Sequence, residues 1–258
     1  MALNYTRSFA SYMPNKFKIG FLLLFCGLYG NMFCQIKTIP QQVGWLGLKV
    51  QAQLANGFNV GIRSEERRYL FPDARHQRIW ANFFASKKIS PAWQVSAGLW
   101  IFEISVPQNP QERTGELKEI RPYFFVRYSH PLKHGSLAFR LQSEYRSFRG
   151  TDAPHHFKGE IVRQSIRERF KLTYTVPLDR QHRVILADEL HLRVASTPRR
   201  FLFQQNRVIA QLERDWSPKL STNLGYVFWF QPTGQPKEYY TRQIVTLRFK
   251  YSFPIKAN

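Results

Sequence analysis

From Val43 to Phe253 the chain repeats one device: eight to twelve residues in which apolar and polar side chains alternate, followed by a turn. A period of two puts each set on one face of a β-strand, whereas a helix would scatter both around its circumference. Between Val43 and Leu54, Leu46, Leu48, Val50, Ala52 and Leu54 share a face, with Lys49, Gln51 and Gln53 opposite. Between Leu137 and Ser147, Leu137, Phe139, Leu141 and Tyr145 oppose Arg140, Gln142, Glu144 and Arg146. Ile120, Pro122, Phe124, Val126 and Tyr128 likewise oppose Glu119, Arg121, Tyr123 and Arg127, and Phe170, Leu172, Tyr174 and Val176 oppose Arg167, Arg169, Lys171 and Thr173. The apolar rows continue as Leu220, Thr222, Leu224, Tyr226, Phe228 and Phe230, and as Val245, Leu247, Phe249, Tyr251 and Phe253. Less regular segments at 58 to 66, 76 to 87, 93 to 104, 183 to 193 and 203 to 214 bring the total to eleven.

The connections alternate in length. Residues 55–57, 88–92, 131–136, 177–181 and 216–219 are tight and rich in turn formers, whereas 67–75, 105–116, 148–161 and 232–239 are longer and polar. Short periplasmic turns opposite longer outer loops give this rhythm in membrane β-barrels, whose strands carry apolar residues toward lipid and polar ones toward the lumen. The expected fold is therefore all-β: a transmembrane, antiparallel, up-and-down β-barrel. Even strand numbers are the rule for bacterial barrels, so about twelve strands are expected, with one hidden between Ile36 and Val43 or in a loop, or ten if one segment is not embedded. A soluble, lipocalin-like barrel with its apolar face inward is the competing arrangement. Trp45, Trp93, Tyr128, Tyr174, Trp216 and Tyr251 fall near segment ends, where membrane interfaces favour rings with a polar edge.

The one long apolar stretch, Phe17 to Phe33, follows Lys16 and contains Lys18. A basic start, an apolar centre and a small residue near the end make a secretory signal, with the cut expected after Cys34 and Met13 as an alternative start. A retained single-span anchor is the other reading, and Phe25 argues against lipidation at Cys26. The expected organisation is a signal at 1–34 and one barrel domain at 35–258. Both cysteines, Cys26 and Cys34, leave with the signal, so the mature chain has no thiol chemistry. After Gln35 charged or amide side chains interrupt every apolar run well short of the roughly 20 residues a helix needs to span a bilayer. Multi-pass helical architecture is excluded.

Six motifs in order, ELKEIRPYFFVRY, RLQSEYRSF, IRERFKLTY, ADELHL, FQQNR and LGYVFWFQ, resemble an uncharacterised family of exported bacterial proteins, the domain of unknown function 2490. The resemblance covers residues 40 to 253 or so and implies an outer-membrane β-barrel without supplying an activity.

The net charge of +21, from 38 Lys and Arg against 17 Asp and Glu, falls to +18 when Arg7, Lys16 and Lys18 leave with the signal. Such a balance raises nucleic acid as a partner. Here the charges alternate singly with apolar residues, no nucleic-acid motif accompanies them, and an export signal removes the chain from the cytoplasm, so no nucleic acid is expected. On the lumen parity Glu119, Arg121, Arg140, Glu144, Arg146, Arg167, Arg169, Glu189 and Arg207 recur on successive segments. Adjacent strands about 4.8 Å apart let such side chains pair across the wall. Two outcomes are open: a structural or passive barrel whose lumen is filled by compensating charges, or a narrow channel or binding site for anionic solutes.

No enzyme is expected. There is no G-x-S-x-G elbow, Ser143 takes the lipid-facing parity, and a lone lumen histidine such as His191 is more often a hydrogen-bonding member of a network than a base. His155 and His156, near Asp152, are adjacent in a loop and point oppositely in extended chain, which does not converge ligands on a metal. No cofactor is expected. The expected location is the outer membrane, with its lipid and lipopolysaccharide and the barrel-assembly machinery as partners.

Overall fold

A computed structural model describes residues 36–70, 74–106, 115–151, 161–197 and 202–255. The signal segment with Cys26 and Cys34, and the loop residues Asp152, His155 and His156, lie outside the described residues. Each alternating segment becomes a strand: β1 (Lys37–Gln53), β2 (Phe58–Tyr69), β3 (Ala74–Lys88), β4 (Trp93–Val106), β5 (Gly115–Leu132), β6 (Gly135–Thr151), β7 (Ile161–Pro177), β8 (His182–Thr197), β9 (Phe203–Asp215), β10 (Leu220–Pro232) and β11 (Glu238–Pro254). Every strand pairs antiparallel with its neighbour in sequence, and β1 meets β11 to close the barrel.

The described strands number eleven, one short of the expected twelve. The stretch between Ile36 and Val43 is not a separate strand but the upper part of β1, which runs 17 residues. With an odd count the first and last strands point the same way, so closure needs a parallel pair. That pair runs unbroken from Lys37 opposite Glu238 to Gln53 opposite Pro254. An inner apolar cluster lies behind this seam: Val43 and Trp45 of β1, Ile244 of β11, Val227 and Trp229 of β10, Ile209 of β9 and Ala187 of β8. A parallel ladder is slightly weaker per residue than an antiparallel one. Apolar packing at the seam adds stabilisation on the inner face, where most of the barrel carries charge.

The barrel is inside-out relative to a soluble one. Leu46, Leu48, Phe124, Leu172, Leu224 and Val245 are each about half exposed on the outer face, while Glu65, Glu119, Arg121, Glu144, Arg167 and Glu189 are buried. A closed barrel clothed in Leu, Phe and Val over every strand is built for hydrocarbon, and closure leaves no unpaired strand edge within it. At the short-turn end Trp93, Tyr128, Trp216 and Tyr251 face outward, with the Trp93 and Tyr128 rings 5.0 Å apart. Trp45 corrects the expected girdle: it points inward and is 4% exposed. At the long-loop end Arg78 pairs with Glu66 at 2.7 Å on the outer wall, and beneath the surface Lys118 pairs with Glu103 at 3.3 Å, both buried, with the Trp80 indole donating to Glu103 at 2.6 Å.

The short turns are chemically specified. Asn56 and Gly57 take positive φ (58° and 74°) between β1 and β2. In the β7–β8 turn the Asp179 carboxylate accepts from the Gln181 and His182 amides at 2.7 Å each, and these bonds, with the His182 ring, hold its pKa below the ordinary value. Gly98 in β4 is sterically obligatory. A Cβ on Gly98 would lie 2.4 Å from the Phe83 carbonyl oxygen and 2.6 Å from the Tyr123 hydroxyl, because Tyr123, its cross-strand partner, leans over it. Gly98→Val is expected to abolish the compact, heat-modifiable band in a refolding gel assay.

Candidate functional site

Inward parity and register together build a continuous ionic chain on the wall made by β5 to β8. Glu119 accepts from Arg121 at 2.8 Å through both oxygens and from Arg146 at 2.6 and 3.1 Å. Glu144 accepts from Arg167, its cross-strand partner, from Arg169 at 2.7 Å and from Gln142 at 2.6 Å, with Arg121 at 3.7 Å. Glu189 accepts from Arg140 at 2.6 Å and from Arg169 at 2.7 Å, with Arg207 of β9 at 3.8 Å. Arg121 thus spans Glu119 and Glu144, and Arg169 spans Glu144 and Glu189. All the charged residues singled out on lumen parity point inward and meet in this one chain. The planar guanidinium fork allows it, because one arginine can serve two carboxylates.

His191 sits in the same network, with its ring nitrogens near Glu189 Oε2 at 3.0 Å and the Gln205 amide at 2.8 Å. Ser143 faces outward and donates to Glu168 at 2.7 Å. Among the described residues no cluster of three or more His, Cys, Asp or Glu could hold a metal.

A second carboxylate centre escapes the strand-by-strand reading. Glu65 of β2 accepts from Arg63, from Arg67 at 2.7 Å and from Arg248 of β11 at 3.0 Å. Its signal was the spacing Arg63, Glu65, Arg67, but the neighbouring Glu66 and Arg68 make both parities of this segment charged. Outside, Glu66 and Arg78 form their own pair. Arg242 and Arg248 alternate with the apolar row of β11 and so take the lumen parity.

Between the ionic chain and the apolar cluster lies a cavity of about 1000 Å³ that reaches from the β10–β11 loop at Gly234 down to Trp100, Arg140 and Lys171. Thirteen Arg and Lys side chains line it, against one lining carboxylate, Glu189. Even with Glu65, Glu119 and Glu144 counted behind the surface, cations outnumber anions about threefold. Aromatic faces carry part of this surplus. Arg67 lies 4.1 Å from the Trp45 ring, Arg121 lies 4.0 Å from Phe102, and Arg163 lies 3.9 Å from Phe148.

A family model described as "Protein of unknown function (DUF2490)" matches residues 42–240, from the middle of β1 to the start of β11. The chain belongs to this family. The DUF2490 match contains the whole ionic chain and the two tryptophans of the inner apolar cluster, Trp45 and Trp229. No curated protein matches the chain. One solved structure similar to it, described as a NanC porin, is 10% identical with a TM-score of 0.43, over 80% of this chain and 91% of that one.

Proposed function

We propose that this barrel is a passive, narrow conduit for small anions across the outer membrane, reached by export on the segment 1–34 and insertion by the barrel-assembly machinery. The observation that carries the proposal is the cavity lined by thirteen cations against one carboxylate. Low-dielectric walls focus the field of such a surplus into the lumen, raising the local concentration of anions and excluding cations. The girdle of Trp93, Tyr128, Trp216 and Tyr251 fits one headgroup layer, and the partly exposed outer-wall pair of Glu66 and Arg78 fits the lipopolysaccharide headgroups opposite. The ionic chain favours a second reading, a purely structural barrel, because its carboxylates are saturated by arginine.

The test is the reversal potential of the mature protein in a planar bilayer under a tenfold KCl gradient. Anion selectivity is expected, weakening as salt rises and screens the lumen. A silent bilayer containing verified folded protein would favour the structural reading, and cation selectivity would overturn the proposal.

A further inference from the structure

Among the described residues, most arginines of the ionic chain touch a carboxylate within hydrogen-bond distance, whereas Arg207 reaches one only at 3.8 Å and Arg242 is held by neutral groups. Trp229 of β10 stands directly opposite Arg207 of β9 and Arg242 of β11 in the strand register. Both guanidinium groups lie against its ring, with Cζ 4.2 Å and 4.5 Å from the centroid. Their polar partners are neutral or distant. Arg242 donates to the side-chain oxygens of Gln41 and Gln231 at 2.7 Å each and neighbours the Tyr69 hydroxyl. Among the described residues the one carboxylate near Arg207 is Glu189 at 3.8 Å, and it already accepts from Arg140 and Arg169.

Donors are in excess at the same place. The Arg207 Nε and the Trp45 indole N–H are both buried with no hydrogen-bond partner among the described residues. Trp45 is 4% exposed, its ring centroid is 6.1 Å from that of Trp229, and Arg207 Cζ lies 5.7 Å from it. Trp45, Arg207, Trp229 and Arg242 all line the cavity. A guanidinium held by a π face and neutral amides keeps its full positive charge, whereas one paired closely with a carboxylate does not. Buried donors lacking an acceptor are costly, and the acceptor that would complete this set is one arriving through the lumen.

We infer that Arg207, Trp229 and Arg242, backed by the Trp45 N–H, form a discrete seat for a small oxyanion, a carboxylate or phosphate group, within the lumen. The seat deepens the reading of the barrel as an anion conduit, but it is a claim about binding and is tested without conduction.

Full-length mature protein in detergent would be titrated with inorganic phosphate, and separately with acetate, by calorimetry at constant ionic strength. Saturable binding of at least one probe at one site per barrel is expected, and the preferred probe distinguishes phosphate from carboxylate chemistry. Arg207→Gln and Arg242→Gln should each weaken it by about tenfold or more. Lys250→Gln, which removes a lumen-side charge near the short-turn end, should leave it within about twofold. Should a Gln variant fail to show the heat-modifiable folded form, Arg207→Lys and Arg242→Lys retain the charge and lose the planar fork, and the same tenfold weakening is expected. Equal weakening by all three Gln variants would reveal a diffuse ionic atmosphere and overturn the seat, as would absence of saturation with both probes. Saturable binding in a barrel that conducts nothing would keep the seat and remove the conduit; conduction without saturable binding would do the reverse.

Discussion

Replacing Glu144 with alanine is expected to lower the unfolding free energy by about 3–5 kcal/mol, the loss typical of breaking a buried ion pair by removing one partner. Glu144 is 1% exposed and accepts from Arg167, Arg169 and Gln142 while facing Arg121. Without its carboxylate, three guanidinium groups crowd a site from which water is largely excluded, and their mutual repulsion adds to the lost attraction. Glu144→Gln should fall between, because the amide oxygen still accepts while its NH₂ meets donors. Urea unfolding in phospholipid vesicles measures both. A loss below about 1 kcal/mol would place the network in the class of exposed, screened pairs.

The second large effect belongs to the outer face. Leu141 of β6 is flanked in register by Val126 of β5 and Phe170 of β7, all facing outward at mid-strand. Leu141→Arg puts a cation into hydrocarbon and is expected to cost about 2–4 kcal/mol in a bilayer. On a soluble barrel the same change at an exposed position would lie within about 0.5 kcal/mol. The comparison therefore separates the two barrel types that alternation alone left open, and folding into vesicles of rising thickness should amplify the penalty.

Parity was legible because each strand carries its two faces in the sequence. In β6 the row Leu137, Phe139, Leu141 and Tyr145 is outward and the row Arg140, Gln142, Glu144 and Arg146 inward, as the alternation reads. What alternation does not contain is register. Nothing in the spacing says that Arg169 falls between Glu144 and Glu189, or that Arg207 and Arg242 bracket Trp229; those follow from how strands slide past one another. The strand count was displaced by a general rule about even numbers, which the unbroken parallel seam sets aside. The place of Trp45 near a segment end suggests an interface ring, but its odd parity, shared with Lys49 and Gln51, points inward. Bulges are the other obstacle: β3 shifts register between Ile79 and Ala81, which blurs the alternation in one of the less regular segments, 76 to 87.

Charge faces the lumen and apolar side chains face lipid, and β11 is where this can be tested most directly. Single cysteines at Val245, Thr246, Leu247, Arg248, Phe249 and Lys250, in a background without Cys26 and Cys34, would carry an environment-sensitive fluorophore in vesicles containing a lipid-borne quencher. Strong quenching is predicted at Val245, Leu247 and Phe249, and little at Thr246, Arg248 and Lys250. The reverse alternation, or quenching at none of them, would contradict a membrane-embedded barrel with a charged lumen.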